Sequence, residues 1–338
     1  MRSVLRFFSS IIAALLLFSA CACSPEKSIQ KILGGSTDSP VFLGCRSVSR
    51  DEVEFRFSCS VTVASLRFDP PLETVSVGSG EQVIVRISET LPEGSRVTAD
   101  VLVEDEHGNT LQVLVPFRTR NDRIPEFLIN ELRTEYSKPR VEFIEIKTAA
   151  AGNMGAVRVY TASQGFETPV YEFPPVEVAA DEYIVLHLRT LDPESADETG
   201  TDLALSPGNE ASPNARDFWT PGAVKRLRKT DAVFFLDQDD RIIDAVLLSE
   251  TADAWWAKEE MVSAAQMFAD HGAWIPLDNP ESTLVSPRDA VITQGATATR
   301  TVCRDETLPD RNNAADWYIC ATSQATPGGT NSVKRYTP

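Results

Sequence analysis

The stretch FLINELRTEYSKPRVEFIEIK, residues 127–147, constrains the fold more than any other part of the chain. It holds two strand-like runs, Phe127–Leu132 and Val141–Ile146. A polar connection containing Glu135, Ser137, Lys138 and Pro139 separates them. In the second run Val141, Phe143 and Glu145 alternate with Glu142, Ile144 and Ile146, so both faces are largely apolar. A strand apolar on both faces must be covered on both, which places it centrally in a sandwich.

The same rhythm of short runs runs through most of the chain and predicts an all-β protein of two β-sandwich domains. Between Val41 and Arg120 the strand-like runs are Glu52–Cys59, Val61–Phe68, Glu73–Val77, Gln82–Ile87, Arg96–Glu104 and Leu111–Phe117. Asp69-Pro70-Pro71, Gly78-Ser79-Gly80, Pro92-Glu93-Gly94 and His107-Gly108-Asn109 punctuate them. This spacing is that of an immunoglobulin-like β-sandwich over residues 41–120. A polar linker, Thr119–Pro125, leads to a second domain over residues 126–332. Only Glu250–His271 breaks the β pattern: Trp255, Met261, Val262, Ala265 and Phe268 fall near helical spacing. Most of Ala252–Ala269 is expected to be helix, capped by Ser249 or Thr251, within an insertion at about 250–291.

Separated motifs of the second domain occur in the order found in lamin-tail domains, which are immunoglobulin-like sandwiches. "INEL…EFIEI" resembles the opening of that domain. VEVAADEYIVLHL resembles its second motif, with Asp181 where glycine is usual. The DQDD hairpin resembles the third, with Asp237, Asp244 and Val246 in place and Asp240 at the turn glycine. Thr301, Arg304, Asn312, Asp316, Trp317, Thr326, Pro327, Gly328 and Asn331 match the closing motif. The resemblance implies a sandwich used for attachment or interaction, with Trp317 in the core and Pro327-Gly328 in a closing turn. In bacteria such domains often accompany secreted nucleases or other hydrolases.

With 338 residues, 42% of them hydrophobic, the chain is long enough for two domains and too apolar for global disorder. Its net charge of −17 disfavours nucleic-acid phosphates as partners. Arg2 and Arg6 precede a short apolar run, Phe7–Phe18, which marks residues 1–20 as a signal peptide. FSAC, ending at Cys21, resembles the relaxed lipobox of spirochaete-type lipoproteins, which implies acylation of Cys21; Cys23 is the rival acceptor. Residues 21–40 read as a flexible tether to the envelope membrane. Cys45, Cys59, Cys303 and Cys320 remain, an even number in an exported chain, and suggest the disulfides Cys45–Cys59 and Cys303–Cys320. Zinc is the competing reading, but no CxxC accompanies them and His107, His187 and His271 are scattered.

Other candidates each have a structural reading beside the functional one. Asp237, Asp239 and Asp240 could bind Ca²⁺, but Ile242 and Leu248 replace the loop's glycine and bidentate glutamate, which favours a solvated turn. Lys225, Arg226, Arg228 and Lys229 read as a solvated run rather than a phosphate grip. Trp255 and Trp256 point to different faces of a helix, so one could be left outside as a recognition surface. Glu131, Glu142 and Glu145 could join His187 in an acid–base site, although nothing in their spacing requires it. No GxSxG, HExxH, Walker or dinucleotide motif occurs. The expectation is a lipid-anchored, non-enzymatic envelope protein without a cofactor, presenting Trp256, the 191–213 loop and the inserted helix to a protein or glycan ligand. A metal-assisted hydrolase or nuclease accessory protein and an envelope structural subunit are the alternatives.

Overall fold

A computed structural model describes residues 38–208 and 210–338. The signal segment, Cys21, Cys23 and most of the tether lie outside the described residues. The protein is all-β with one α-helix among the described residues, and it divides into two compact units.

The first unit contains β1 (Phe42–Ser47), β2 (Glu52–Asp69), β3 (Thr74–Val77), β4 (Gly80–Ile87), β5 (Arg96–Asp105) and β6 (Thr110–Arg118). They pair in the order β3-β4-β2-β5-β6, with β1 also on β2. Strand β2 runs unbroken for 18 residues where the sequence pattern predicts two strands. Its first half pairs with β1 and β4, its second half with β5. The ladder to β4 slips between Arg56 and Val61, an irregularity of the kind that bends a strand. Phe55 from the first half and Phe68 from the second both pack edge-on against Phe117, at 6.5 and 6.3 Å, which closes the sheet over a core of valines. Strand β1, which the sequence pattern does not reveal, is interrupted by Gly44 at a register shift.

The second unit begins with β7 (Phe127–Arg133), β8 (Phe143–Thr148), β9 (Gly152–Asn153), β10 (Arg158–Thr161), β11 (Tyr171–Glu172), β12 (Glu177–Val178) and β13 (Tyr183–His187). It continues through β14 (Arg216–Trp219), β15 (Asp231–Leu236), β16 (Ile242–Ser249), α1 (Glu259–Asp270), β17 (Val291–Ile292), β18 (Val302–Arg304) and β19 (Trp317–Ile319). One sheet runs β14-β13-β8-β7-β18-β19, a second runs β11-β10-β15-β16-β17, and β12 pairs with β9. Phe127 of the first sheet meets Phe235 of the second at 5.2 Å, and one buried cluster joins the inner faces of both. Strand β8 is third of six, and its outward residues are buried as well as its inward ones. Its two apolar faces therefore have two covers.

Helix α1 starts seven residues later than the periodicity predicts. Its N-cap is Lys258, with no side-chain cap, and Ser249 instead donates its hydroxyl to Thr251 O. Glu259 and Glu260 place negative charge in the first turn, which complements the helix dipole. Met261, Ala264, Ala265 and Phe268 are buried, and Phe268 packs edge-on against Phe234 at 5.4 Å. Trp255 and Trp256 thus lie in the loop before the helix.

Two turns need left-handed backbone where the sequence has aspartate. Asp181 has φ +60° and Asp240 φ +61°. Aspartate tolerates this region better than most residues because its short side chain bonds locally. At the second turn that bond comes from Asp237, whose carboxylate accepts the N–H groups of Asp239 and Arg241 at 2.8 and 2.9 Å.

Candidate binding cleft

Strand β7 determines what lies on the outer face of the six-stranded sheet. In its ladder with β8, Ile129 pairs with Ile146 but Glu131 pairs with Glu145, so Asn130 is an extra residue, a β-bulge. Without it Glu131 and Arg133 would share the face of Phe127 and Ile129. The bulge puts Leu132 into the core instead and turns Glu131 and Arg133 outward.

The outward carboxylates are buried beneath the C-terminal segment. Glu131 accepts the Thr326 N–H at 3.1 Å and is hydrogen-bonded by the Thr301 hydroxyl. Glu145 accepts the Gly328 N–H at 2.6 Å and an Asn130 amide proton at 2.8 Å. Burial pushes Glu131 up to about 7, and burial together with the Glu131 charge pushes Glu145 well above the usual carboxylate range. Beside them Arg304 pairs with Asp244 at 3.1 Å and Asp310 at 2.7 Å, donates to Ile129 O, and lies over the Trp317 ring. The Asn331 amide donates to Asn130 O at 2.9 Å and Arg304 O at 3.0 Å. Residues far apart in sequence therefore close one buried polar cluster.

Arg133 sits at the edge of this cluster as the floor of a cleft of about 370 Å³, walled by Arg140, Glu210, Ser212, Thr299 and Pro327. Its side chain is only 4% exposed, and it packs over the ring of Phe143, its cross-strand partner. It donates to Val141 O and is paired with the Glu210 carboxylate. Its Nε is buried and has no partner among the described residues. The Arg140 guanidinium, at the rim, is in no ion pair among the described residues. Sequence reading missed Arg133. The available signal was its charge, two residues after Glu131, at the end of the strand.

The predicted site residues are distributed as follows. Cys45 stands opposite Phe55 in the β1–β2 ladder, and Cys59 lies four residues further along β2, about 13 Å away at ordinary strand rise. No disulfide can join them without moving the backbone, so that expected bridge is corrected. Cys303 and Cys320 are also free thiols, contrary to expectation, but their sulfurs and a Glu131 oxygen all lie within 4.8 Å of one another. The Thr301 N–H donates to Cys320 Sγ at 3.2 Å, and the Thr301 hydroxyl oxygen lies 3.1 Å from the same sulfur.

Asp239 is held by Arg120 at 2.8 and 2.9 Å and Asp240 by Arg158 at 2.8 Å; with Asp237 in its turn, these carboxylates already have partners. Glu142 pairs with Arg189 at 2.7 Å and His187 Nε2 with Asp217 at 2.7 Å, so neither joins Glu131 and Glu145. His187 is stacked on Trp219 at 3.8 Å, and its buried Nδ1 has no partner among the described residues. In the basic run Lys225 pairs with Glu135 and Lys229 with Glu250, while Arg226 holds the carbonyls of Leu188 and Pro221. Trp255 is 73% exposed, whereas Trp256 is half-buried and donates its indole N–H to Val285 O.

A protein family described as "protein second domain" (TP_1001_2nd) matches residues 125–319. An uncharacterized protein of Treponema pallidum (strain Nichols) is 29% identical over 170 residues, which are 48% of this chain and 43% of that protein. This chain therefore spans less than half of that relative's length. The N-terminal part of the bacterial S-layer protein SbsC aligns over 63% of this chain and 44% of its own, at 12% identity and a TM-score of 0.22. The family match covers more than half of the chain, opens just before β7 and ends on the last residue of β19, and the chain belongs to the TP_1001_2nd family through this second unit.

Proposed function

We propose that this chain is an exported lipoprotein, acylated at Cys21, whose second unit is a lamin-tail-like sandwich acting as a non-enzymatic binding module of the cell envelope. The observation that carries the binding reading is the cleft over Arg133. It is open and polar, while the buried carboxylates nearby are occupied by backbone N–H groups and arginines. The lamin-tail reading is supported by convergence of its closing-motif residues on one cluster, and by left-handed aspartates where the pattern has glycine. The anchor reading rests on residues 1–21, and a spirochaete relative agrees with a spirochaete-type lipobox. The folded body would be held at the membrane surface by its lipid.

Palmitate labelling with protease digestion of intact and permeabilised cells tests this. Labelling lost in Cys21→Ser and retained in Cys23→Ser supports the anchor. Labelling that survives Cys21→Ser would overturn it. Digestion in intact cells would place the binding unit outside, and protection until permeabilisation would place it in the periplasm.

A further inference from the structure

The overall charge of this protein is −17, yet its cleft is locally cationic: Arg133 on the floor and Arg140 at the rim face one acid, Glu210. Local sign inversion of this kind concentrates anions where the rest of the surface repels them. Arg133 cannot move far. It is buried, stacked over Phe143 and tied to Val141 O. A guanidinium held in a fixed plane is suited to a carboxylate, which it takes through paired N–H groups. One carboxylate already occupies it, that of Glu210, which reaches in from the long loop between β13 and β14. Nε remains buried without an acceptor, so Glu210 uses only part of the donor set. A buried donor left unmatched costs free energy that a better acceptor recovers. The hydroxyls of Ser212 and Thr299 also line the cleft, and its volume of about 370 Å³ is in the range of small-molecule sites.

We propose that this cleft binds a small organic carboxylate, and that Glu210 is a built-in occupant which the ligand displaces from Arg133. The inference rests on the binding-module reading and adds its ligand chemistry. Occupation by Glu210 lowers apparent affinity by the fraction of molecules in which Arg133 is free, and removing Glu210 restores it.

The test is calorimetric titration of the full chain with N-acetyl-glutamate α-amide, which presents the chemistry of Glu210 as a free molecule. N-acetyl-glutamine amide and inorganic phosphate serve as controls. Binding by the wild type that tightens at least tenfold in Glu210→Ala, weakens at least fivefold in Arg140→Ser, and is absent with the neutral amide supports the proposal. Arg133→Lys keeps the charge without the fork, and abolished binding in a variant with an unchanged melting temperature supports Arg133 as the anchor. Equal affinity in wild type and Glu210→Ala, no binding by either, or tighter binding of phosphate than of the carboxylate would overturn it. None of these outcomes depends on acylation, so failure here and failure of the anchor reading are separable.

Discussion

Glu131 and Glu145 stand directly opposite each other on β7 and β8, and each carboxylate accepts a backbone N–H from one C-terminal turn, Thr326 to Glu131 and Gly328 to Glu145. Like charges placed opposite each other on a sheet repel, and burial strengthens the repulsion. The pair is tolerated because at least one member keeps its proton and because the turn supplies donors. The turn holding Thr326 and Gly328 is thereby tied to the central strands.

This arrangement makes stability depend on pH. Glu131 is raised from 4.5 to about 7 by burial, and Asp231 and Asp244 from 3.8 to about 6 by burial. The unfolded chain releases these protons near pH 4, the folded chain only near pH 6–7. The folded state binds more protons in that window, so stability falls as pH rises through it. Thermal melts should show the second unit losing on the order of 5 kcal/mol between pH 5 and pH 7.5. Glu131→Gln should flatten that slope. An unchanged slope would show that Glu131 is ionised throughout.

The closing turn should be intolerant of a side chain. Gly328 has φ +80°, and a Cβ there would lie 2.9 Å from Ser212 Cβ and 3.0 Å from Ala215 Cβ. Gly328→Ala combines backbone strain with overlap and is expected to cost about 2–3 kcal/mol by denaturant titration. Gly165→Ala, also at positive φ but with open space around it, should cost about 1 kcal/mol.

Arg304 and Asp244 form a buried pair, with exposures of 7% and 2%. Removing one partner leaves the other charged and buried. Arg304→Met or Asp244→Leu alone should lose about 3–5 kcal/mol. The double variant should lose less than the sum, and simple additivity would show that the two side chains are not coupled.

Phe268→Ala should cost about 3–5 kcal/mol, because the side chain is fully buried against Phe234. Trp255→Ala should change stability by less than about 0.5 kcal/mol, since the indole is 73% exposed. A large loss at Trp255 would mean that the loop before α1 is packed.

The thiols should separate by position. Burial pushes Cys45 up to about 12, so in native protein it should resist iodoacetamide at pH 8. On oxidation with oxidised glutathione, peptide mapping should find Cys303 joined to Cys320, whose sulfurs adjoin, and never Cys45 to Cys59. Recovery of a Cys45–Cys59 peptide would contradict the β1–β2 register.

Much of the β pattern was legible because alternation and turn residues are local. Runs such as Gln82–Ile87 and Arg96–Glu104, and the DQDD hairpin, could be read from local pattern, and the two-sided apolar pattern of β8 implied its central position. The start of α1 was not legible. The apolar spacing from Trp255 onward mimics a helix, while the half-buried Trp256 is held by Val285 O, which comes from a later loop. The cleft was hidden for a related reason. Its floor and walls come from β7, the β7–β8 connection, the loop before β14 and the C-terminal segment, and no local pattern records that meeting.

The sequence by itself determined the all-β class, the strand runs and the turn positions, because these follow from side-chain period and backbone preference within a few residues. Tertiary structure alone decided the faces. Asn130 is one extra residue in a strand whose side-chain period is two, and only its pairing with β8 shows that it is a bulge. That single residue sends Leu132 to the core and brings Glu131 and Arg133 out to the cluster and the cleft. Which residues share a face is a property of the ladder between two strands, and neither strand's sequence contains it.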